Sequence, residues 1–153
     1  MGRSSLGGIS ITLVVGLVVL AAGCAADDRS PLIAEQRIGL PTGPNAAMYF
    51  TATGSGKADR LLGARSDVAT SVEIHETTAG DDGTMGMQPL ESVDLTADSP
   101  LVLEPGGLHL MLVGVDRLRI GEFVEVTLDW EDAGDMIVTA EVVAPGDVME
   151  HEG

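Results

Sequence analysis

Residues 106–115, "GGLHLMLVGV", combine the apolar pattern of a buried strand with two side chains that bind soft metals. Successive side chains of a β-strand point to opposite faces of the sheet. One face of this strand therefore carries three leucines typical of a core: Leu108, Leu110 and Leu112. The opposite face carries His109 and Met111. The stretch thus predicts a strand that packs on a core and presents a candidate ligand pair on its other side.

The same alternation recurs along the chain between turns rich in Gly, Pro and Asp, such as "AGDDG", "EPGG" and "EDAG". In "FVEVTLDW", residues 123–130, Trp130 and the aliphatic residues share one face, while Glu125 and Asp129 point the other way. About eight runs of this kind are present, and no stretch shows a long helical period. The pattern predicts an all-β domain, either an antiparallel sandwich or a barrel of Greek-key type.

Length and charge limit the function classes. A chain of 153 residues is enough for one domain. The net charge of −16, from 24 acidic and 8 basic residues, argues against binding nucleic acid or anionic lipid, both of which need a basic surface. No paired nucleophile and base, paired carboxylates or phosphate-binding loop stands out, so we do not expect an enzyme.

The N-terminus has the pattern of an export signal. Arg3 precedes the apolar run "ISITLVVGLVVLAAG", which is short for a membrane span and ends at the only cysteine, Cys24. The junction "LAAGC" resembles a bacterial lipobox, which implies that Cys24 carries a lipid such as palmitate and anchors the protein to the cell membrane. The alternative is an ordinary secretory cleavage site that leaves a free thiol. Both readings place the protein outside the cytoplasm.

The boundaries follow from composition. We expect a lipoprotein signal peptide at residues 1–23, a tether at 24–43, a β-sandwich domain at 44–145 and a flexible acidic tail at 146–153. The tether is assigned because "AADDRSPLIAEQRIGLPTG" has no sustained period. With no second cysteine, the domain has no disulfide and depends on its apolar core.

Further candidate metal ligands lie on two other strands. In "SVEIHET" the alternation turns Ile74 inward and places His75 on the outer face beside Glu73. In "TMGMQ" it places Met85 and Met87 on a common face. A single His is usually a surface residue and a single Met usually fills a core. Two His and three Met within 37 residues, each placed by strand period, instead favour a metal site.

The spacing of these residues resembles the signature of the PCu(A)C-type periplasmic copper chaperones. That signature is a His, a Met about ten residues on, and a His-x-Met about 21 residues later. Here 11 residues separate His75 from Met87, and 21 separate Met87 from "HLM", residues 109–111. The stretches "EIHET", "MGMQPLESVDL" and "LEPGGLHLMLVGV" also look like those of the family. The resemblance extends roughly from Gly43 to Val143.

The resemblance implies a cupredoxin-like Greek-key antiparallel β-sandwich. We expect this domain to act as a monomer. The resemblance implies four copper ligands, His75, Met87, His109 and Met111, with Met85 as a candidate auxiliary ligand. It also implies delivery of copper to an accepting protein, such as the copper centre of cytochrome c oxidase. The chemistry agrees independently, because thioethers and imidazoles suit copper(I), whereas Mg²⁺ and Ca²⁺ prefer oxygen ligands.

A blue-copper electron carrier is disfavoured, whereas an interaction module and two interpretations of the tail stay open. A blue-copper electron carrier needs a Cys ligand, and the only cysteine is at the predicted anchor. A lipoprotein interaction module with a degenerate metal site is supported by the extra residue before Met87. In the tail, Met149 and His151 form either part of a frayed terminus or an auxiliary site that captures copper(II).

Overall fold

The computed structural model of this chain describes Met1 and residues 30–40, 43–80 and 83–149. The predicted lipidation site Cys24, nearly all of the predicted signal peptide and the tail residue His151 lie outside the described residues. Within these ranges, no helix is both long and apolar enough to span a bilayer. The described residues therefore comprise most of the predicted β domain and its immediate flanks.

The described ranges contain ten strands and one short 3₁₀-helix. The strands are β1 (Leu32–Gly39), β2 (Ala46–Thr53), β3 (Asp59–Arg65), β4 (Ser71–Ala79), β5 (Met85–Leu90), β6 (Val93–Leu95), β7 (Leu101–Leu103), β8 (Leu108–Val113), β9 (Phe123–Trp130) and β10 (Gly134–Val143). The 3₁₀-helix is Asp147–Met149. The predicted all-β class is confirmed, and two more strands are present than the sequence pattern predicted.

The strands form one continuous sheet that closes on itself. Its order is β5-β4-β8-β2-β1-β10-β9-β3-β6, with β7 paired to β2. A further pairing between Ala64 of β3 and Val72 of β4 joins the two sides of this path, so the strands from β4 to β3 form a closed ring. The β1–β10 pairing is parallel, which departs from the predicted antiparallel arrangement, whereas the other pairings are antiparallel.

The interior is filled by the residues that the alternation assigned to it. Leu110 and Leu112 of β8 are fully buried, and so are Val126, Leu128 and Trp130 of β9. The core of the described ranges is almost entirely aliphatic, with Phe50 and Trp130 as its aromatic members. Because the apolar side chains of each strand point inward, the opposite faces are free to carry polar and ligand side chains.

The predicted tether at residues 24–43 is wrong for residues 32–39. These residues form β1, which pairs with β2 on one side and with β10 on the other, and Ile38 is fully buried. The reason is a bulge: the register with β2 shifts between Ala34 and Arg37, and Glu35 has a φ of 60°. A bulge interrupts the two-residue period, so this strand does not show the alternation by which the others are predicted.

The predicted flexible tail is also wrong in its first residues. The 3₁₀-helix at residues 147–149 lies against β1, where Arg37 Nη1 donates a hydrogen bond of 2.9 Å to the carbonyl of Asp147. Val148 packs so closely over Gly39 that a Cβ atom at residue 39 would lie 3.2 Å from Val148 Cγ1. The domain therefore includes β1 and extends to this helix. Residues 150–153 are outside the described part of the chain.

Candidate metal site

The site is built on three adjacent strands, with β4 between β5 and β8. The antiparallel register places His75 of β4 directly opposite His109 of β8. Their ring centroids lie 5.9 Å apart and the ring planes are inclined by 54°. Strand pairing thus brings together two histidines that are far apart in the sequence.

Two methionines lie on the same outer face as this histidine pair. Residues that face each other across neighbouring strands form a row on that face, and one methionine lies in the row on each side of the histidines. Met111 is opposite Glu73, one row from the histidines, and Met87 is opposite Thr77, one row from them in the other direction. Rows on one face are roughly 7 Å apart, because two residues of a strand span that length. Long side chains bridge such diagonal positions. The four predicted ligands therefore share one surface, with the two thioethers flanking the two imidazoles.

Met85 is farther from the histidines than Met87. It is opposite Ala79, two rows from the His75–His109 pair, which corresponds to roughly 13 Å along the strand. The side chains of Met85 and Met87 are highly exposed, at 64% and 60% respectively. Met87 is thus nearer to the histidine pair than Met85, although the two methionines are about equally exposed.

A tight turn fixes the surroundings of His109. In "EPGG" the Gly107 amide donates a 3.0 Å hydrogen bond to the carbonyl of Glu104, and Gly106 has a φ of 82°. Proline at the second position and a glycine of positive φ at the third are typical of a type II turn. The turn presents the Gly107 carbonyl, which accepts hydrogen bonds from the Thr77 amide at 3.1 Å and from His109 Nδ1 at 3.2 Å.

His109 is held in one orientation. Its side chain is buried, with only 3% of the residue exposed, although it lies on the outer face. Because a carbonyl only accepts hydrogen bonds, His109 Nδ1 must carry the proton in this arrangement, and Nε2 retains its lone pair. Metal-binding histidines commonly donate their other ring N–H in this way.

His75 has the opposite arrangement of ring nitrogens. Its Nε2 lies 2.9 Å from Oε2 of Glu73, and its side chain is 13% exposed. The ionised carboxylate accepts, so Nε2 is the protonated nitrogen and Nδ1 carries the lone pair. Nδ1 is buried and has no hydrogen-bond partner among the residues that the structure describes. A buried polar atom without a partner needs an explanation, and coordination of a metal supplies one.

Two further residues at the site were not anticipated from the sequence. The Tyr49 ring centroid lies 6.4 Å from that of His109, and burial raises the pKa of the Tyr49 phenol, because loss of water disfavours the phenolate. Asn45 accepts a hydrogen bond from the Gly114 amide and places Nδ2 4.0 Å from Sδ of Met111. The alternation in "AAMYFTAT" indicates that Tyr49 points outward, but only the β2–β8 pairing places it beside His109.

The donor set is soft and uncharged. Between residues 30 and 149, leaving out the undescribed 41–42 and 81–82, no group of three or more His, Cys, Asp or Glu is arranged to hold a metal ion. Two imidazole nitrogens with free lone pairs and flanking thioether sulfurs are ligands that suit copper(I).

Sequence comparison decides the family. A family model described as "Putative lipoprotein LpqE-like" matches residues 26–142. The chain belongs to the LpqE-like lipoprotein family. A relative from Leifsonia xyli subsp. xyli (strain CTCB07), "Putative lipoprotein Lxx21020", is 35% identical over 91 residues. That match covers 59% of this LpqE-like chain and 54% of the relative, so the chain matches about half the length of this curated protein.

Solved structures confirm the resemblance to PCuAC-type chaperones. The copper-bound PCuAC domain from PmoF2 is 28% identical, with a TM-score of 0.62 and coverage of 74% of the LpqE-like chain and 92% of that domain. The copper(I) form of DR1885 from Deinococcus radiodurans is 31% identical, with a TM-score of 0.58 and coverage of 80% and 85%. Apo-DR1885 is 28% identical, with a TM-score of 0.55 and coverage of 94% and 97%.

Proposed function

We propose that this LpqE-like protein is an extracytoplasmic metallochaperone that carries one copper(I) ion on the outer face of β4, β5 and β8. The observation that carries the proposal is the cross-strand pair of His75 and His109, with Met87 and Met111 on the same face. Each histidine keeps one nitrogen with a free lone pair, since the other is hydrogen-bonded to the protein. The copper is cargo, and no reaction is assigned to it.

The ligand chemistry suits transport outside the cytoplasm. Thioethers remain unprotonated at biological pH and do not form disulfides, as exported thiolates do. The buried His109 supplies a fixed ligand, whereas the exposed Met87 at the edge strand supplies one that a partner's ligand replaces. Stepwise replacement of an exposed ligand lets copper pass to an acceptor without a free ion in solution.

The structural neighbours support copper as the cargo. One is a copper-bound PCuAC domain and another is a copper(I) form of DR1885. For the LpqE-like protein we propose the same metal and delivery to a copper-accepting protein. The acceptor we propose is the copper centre of cytochrome c oxidase during its assembly, with the chaperone acting as a monomer.

The lipoprotein family supports a membrane anchor at Cys24. Because β1 begins at Leu32, only the seven residues from 25 to 31 separate that anchor from the sheet. Seven extended residues span at most roughly 25 Å. The domain is therefore proposed to work close to the membrane surface, where a membrane-bound copper acceptor is within reach.

The competing proposal is a lipoprotein interaction module with a degenerate metal site, based on the extra residue before Met87. A one-residue shift inside a strand would move Met87 to the opposite face. Instead the register pairs Met87 with Thr77 and keeps it on the face of His75. The hydrogen bonds of Gly80 to Thr84 and of Gly83 to Gly80 are consistent with an insertion confined to the turn. This register favours the chaperone.

A copper-loading and transfer experiment tests the proposal. The full chain in detergent solution is titrated with copper(I) in the presence of a chromophoric copper(I) chelator, and the loaded protein is then mixed with a copper(I)-accepting peptide of higher affinity. The chaperone predicts one copper per chain and transfer faster than spontaneous release of copper. The interaction module predicts no competition with the chelator.

A further inference from the structure

The two histidines of the site are hydrogen-bonded through different ring nitrogens. In His109 it is Nδ1 that lies on a protein acceptor, the Gly107 carbonyl at 3.2 Å. In His75 it is Nε2, which lies 2.9 Å from the Glu73 carboxylate, while Nδ1 is buried and no described residue hydrogen-bonds to it. A histidine coordinates a metal through the nitrogen that keeps its lone pair. The two rings therefore present different atoms to the same face of the sheet.

We propose that Glu73 is a positioning residue that fixes the tautomer of His75, so that copper(I) is bound by Nδ1 of His75 and by Nε2 of His109. This inference rests on the proposed copper site and adds its atomic assignment. Glu73 need not touch the metal. Its effect is to hold the proton on Nε2 and to hold the ring in the orientation that leaves Nδ1 free.

The surroundings of Glu73 suit this role. Glu73 and His75 are two residues apart on β4 and therefore lie on the same face. Ser71 Oγ, on that face as well, donates a 3.4 Å hydrogen bond to the other carboxylate oxygen, Oε1. Glu73 is also opposite Met111, so its carboxylate lies in the row of one thioether ligand and is bonded to the neighbouring histidine.

The neighbouring groups do not replace Glu73 in this role. Tyr49 contacts the ring of His109, and burial raises its pKa, which keeps it an uncharged phenol at neutral pH. Thr77, the next residue of this face on β4, gives its amide hydrogen to the Gly107 carbonyl. Within the described part of the chain, the protonated nitrogen of His75 is hydrogen-bonded to Glu73. Removing this carboxylate therefore removes the hydrogen bond that holds the proton of His75 on Nε2.

Nitrogen NMR of the full chain, labelled with ¹⁵N at histidine and held in detergent solution, tests the assignment. The apo protein should show His75 with its proton on Nε2 and His109 with its proton on Nδ1. Added copper(I) should shift Nδ1 of His75 and Nε2 of His109. Glu73→Ala should give a mixture of His75 tautomers and lower copper(I) affinity by about 10- to 100-fold. Glu73→Gln, which keeps a carbonyl acceptor, should restore much of both.

Glu125→Ala is the matched control. It makes the same change from glutamate to alanine at an exposed position of β9, away from the site. It should alter neither the tautomer nor the affinity. A His75 proton on Nδ1, copper on Nε2 of His75, or an unchanged tautomer in Glu73→Ala would each overturn the proposal. If copper(I) shifts neither histidine, the proposed function fails, whereas the control of the tautomer by Glu73 is still decided by the apo spectra.

Discussion

His75 and His109 face each other across the β4–β8 ladder, with ring centroids 5.9 Å apart and one nitrogen of each ring bonded to the protein. Strand pairing and these two hydrogen bonds thus orient both rings. Ordering ligand side chains on binding costs free energy, and a site whose rings are already oriented avoids part of that cost. We therefore propose that the histidines define the position of the metal and that the flanking methionines complete its coordination.

The two methionines of β5 provide a test of this geometry. Met87 is one row from the histidine pair and Met85 is two rows away. Met87→Leu should therefore weaken copper(I) binding by about tenfold or more, which corresponds to about 1.4 kcal/mol. Met85→Leu, which removes a thioether of equal exposure from the same strand, should have a much smaller effect. Competition titration of both variants measures the difference.

An equal loss of affinity in the two variants would contradict the distance argument. It would make Met85 a ligand of the same rank as Met87 and would require β5 to move relative to β4. Leu is close to Met in volume, so neither change should disturb the fold. Circular dichroism of each variant checks that the sheet is retained.

The membrane anchor is tested by Cys24→Ala. If Cys24 carries the lipid, the variant should move from the membrane fraction to the soluble exported fraction, because removal of the acyl chains removes the main membrane contact. Immunoblotting of the separated fractions measures the shift. Retention of the variant in the membrane fraction would instead indicate that the apolar N-terminal segment remains uncleaved.

The place of β1 in the domain is tested by its buried side chain. Ile38 is fully buried between the partners of β1, so Ile38→Ala should lower the free energy of unfolding by about 2–5 kcal/mol. Leu32→Ala is the control, because Leu32 lies on the same strand with an exposed side chain. Denaturant unfolding of both variants gives the two values. Similar small losses would mean that this segment is a tether after all.

Much of the sheet could be predicted because alternation reports directly which side of a strand is buried. The pattern in β9 placed Trp130 inside, and the pattern in β8 placed Leu110 inside, with His109 on the opposite face of the strand. Strand period also placed His75 on the outer face. These are local properties, so the sequence contains them.

The rest depends on non-local pairing or on irregular backbone. The adjacency of β2 and β8, which places Tyr49 beside His109, has no local signal. The bulge after Ala34 concealed β1, and the bond between Arg37 and the Asp147 carbonyl joins segments at the two ends of the domain. The bond that the Gly107 carbonyl accepts from His109 likewise depends on how one turn is oriented.

Competition titration against a chromophoric chelator tests whether the outer face of β4, β5 and β8 binds copper(I). The proteins compared are the wild-type chain, His109→Ala, Met111→Leu and the control Met136→Leu. Met136 is a partly buried methionine of β10, away from the proposed site. The proposed site predicts one copper(I) per wild-type chain, unchanged binding in Met136→Leu, and affinity reduced at least about tenfold in the other two variants, equivalent to about 1.4 kcal/mol. Wild-type affinity in both His109→Ala and Met111→Leu would contradict it.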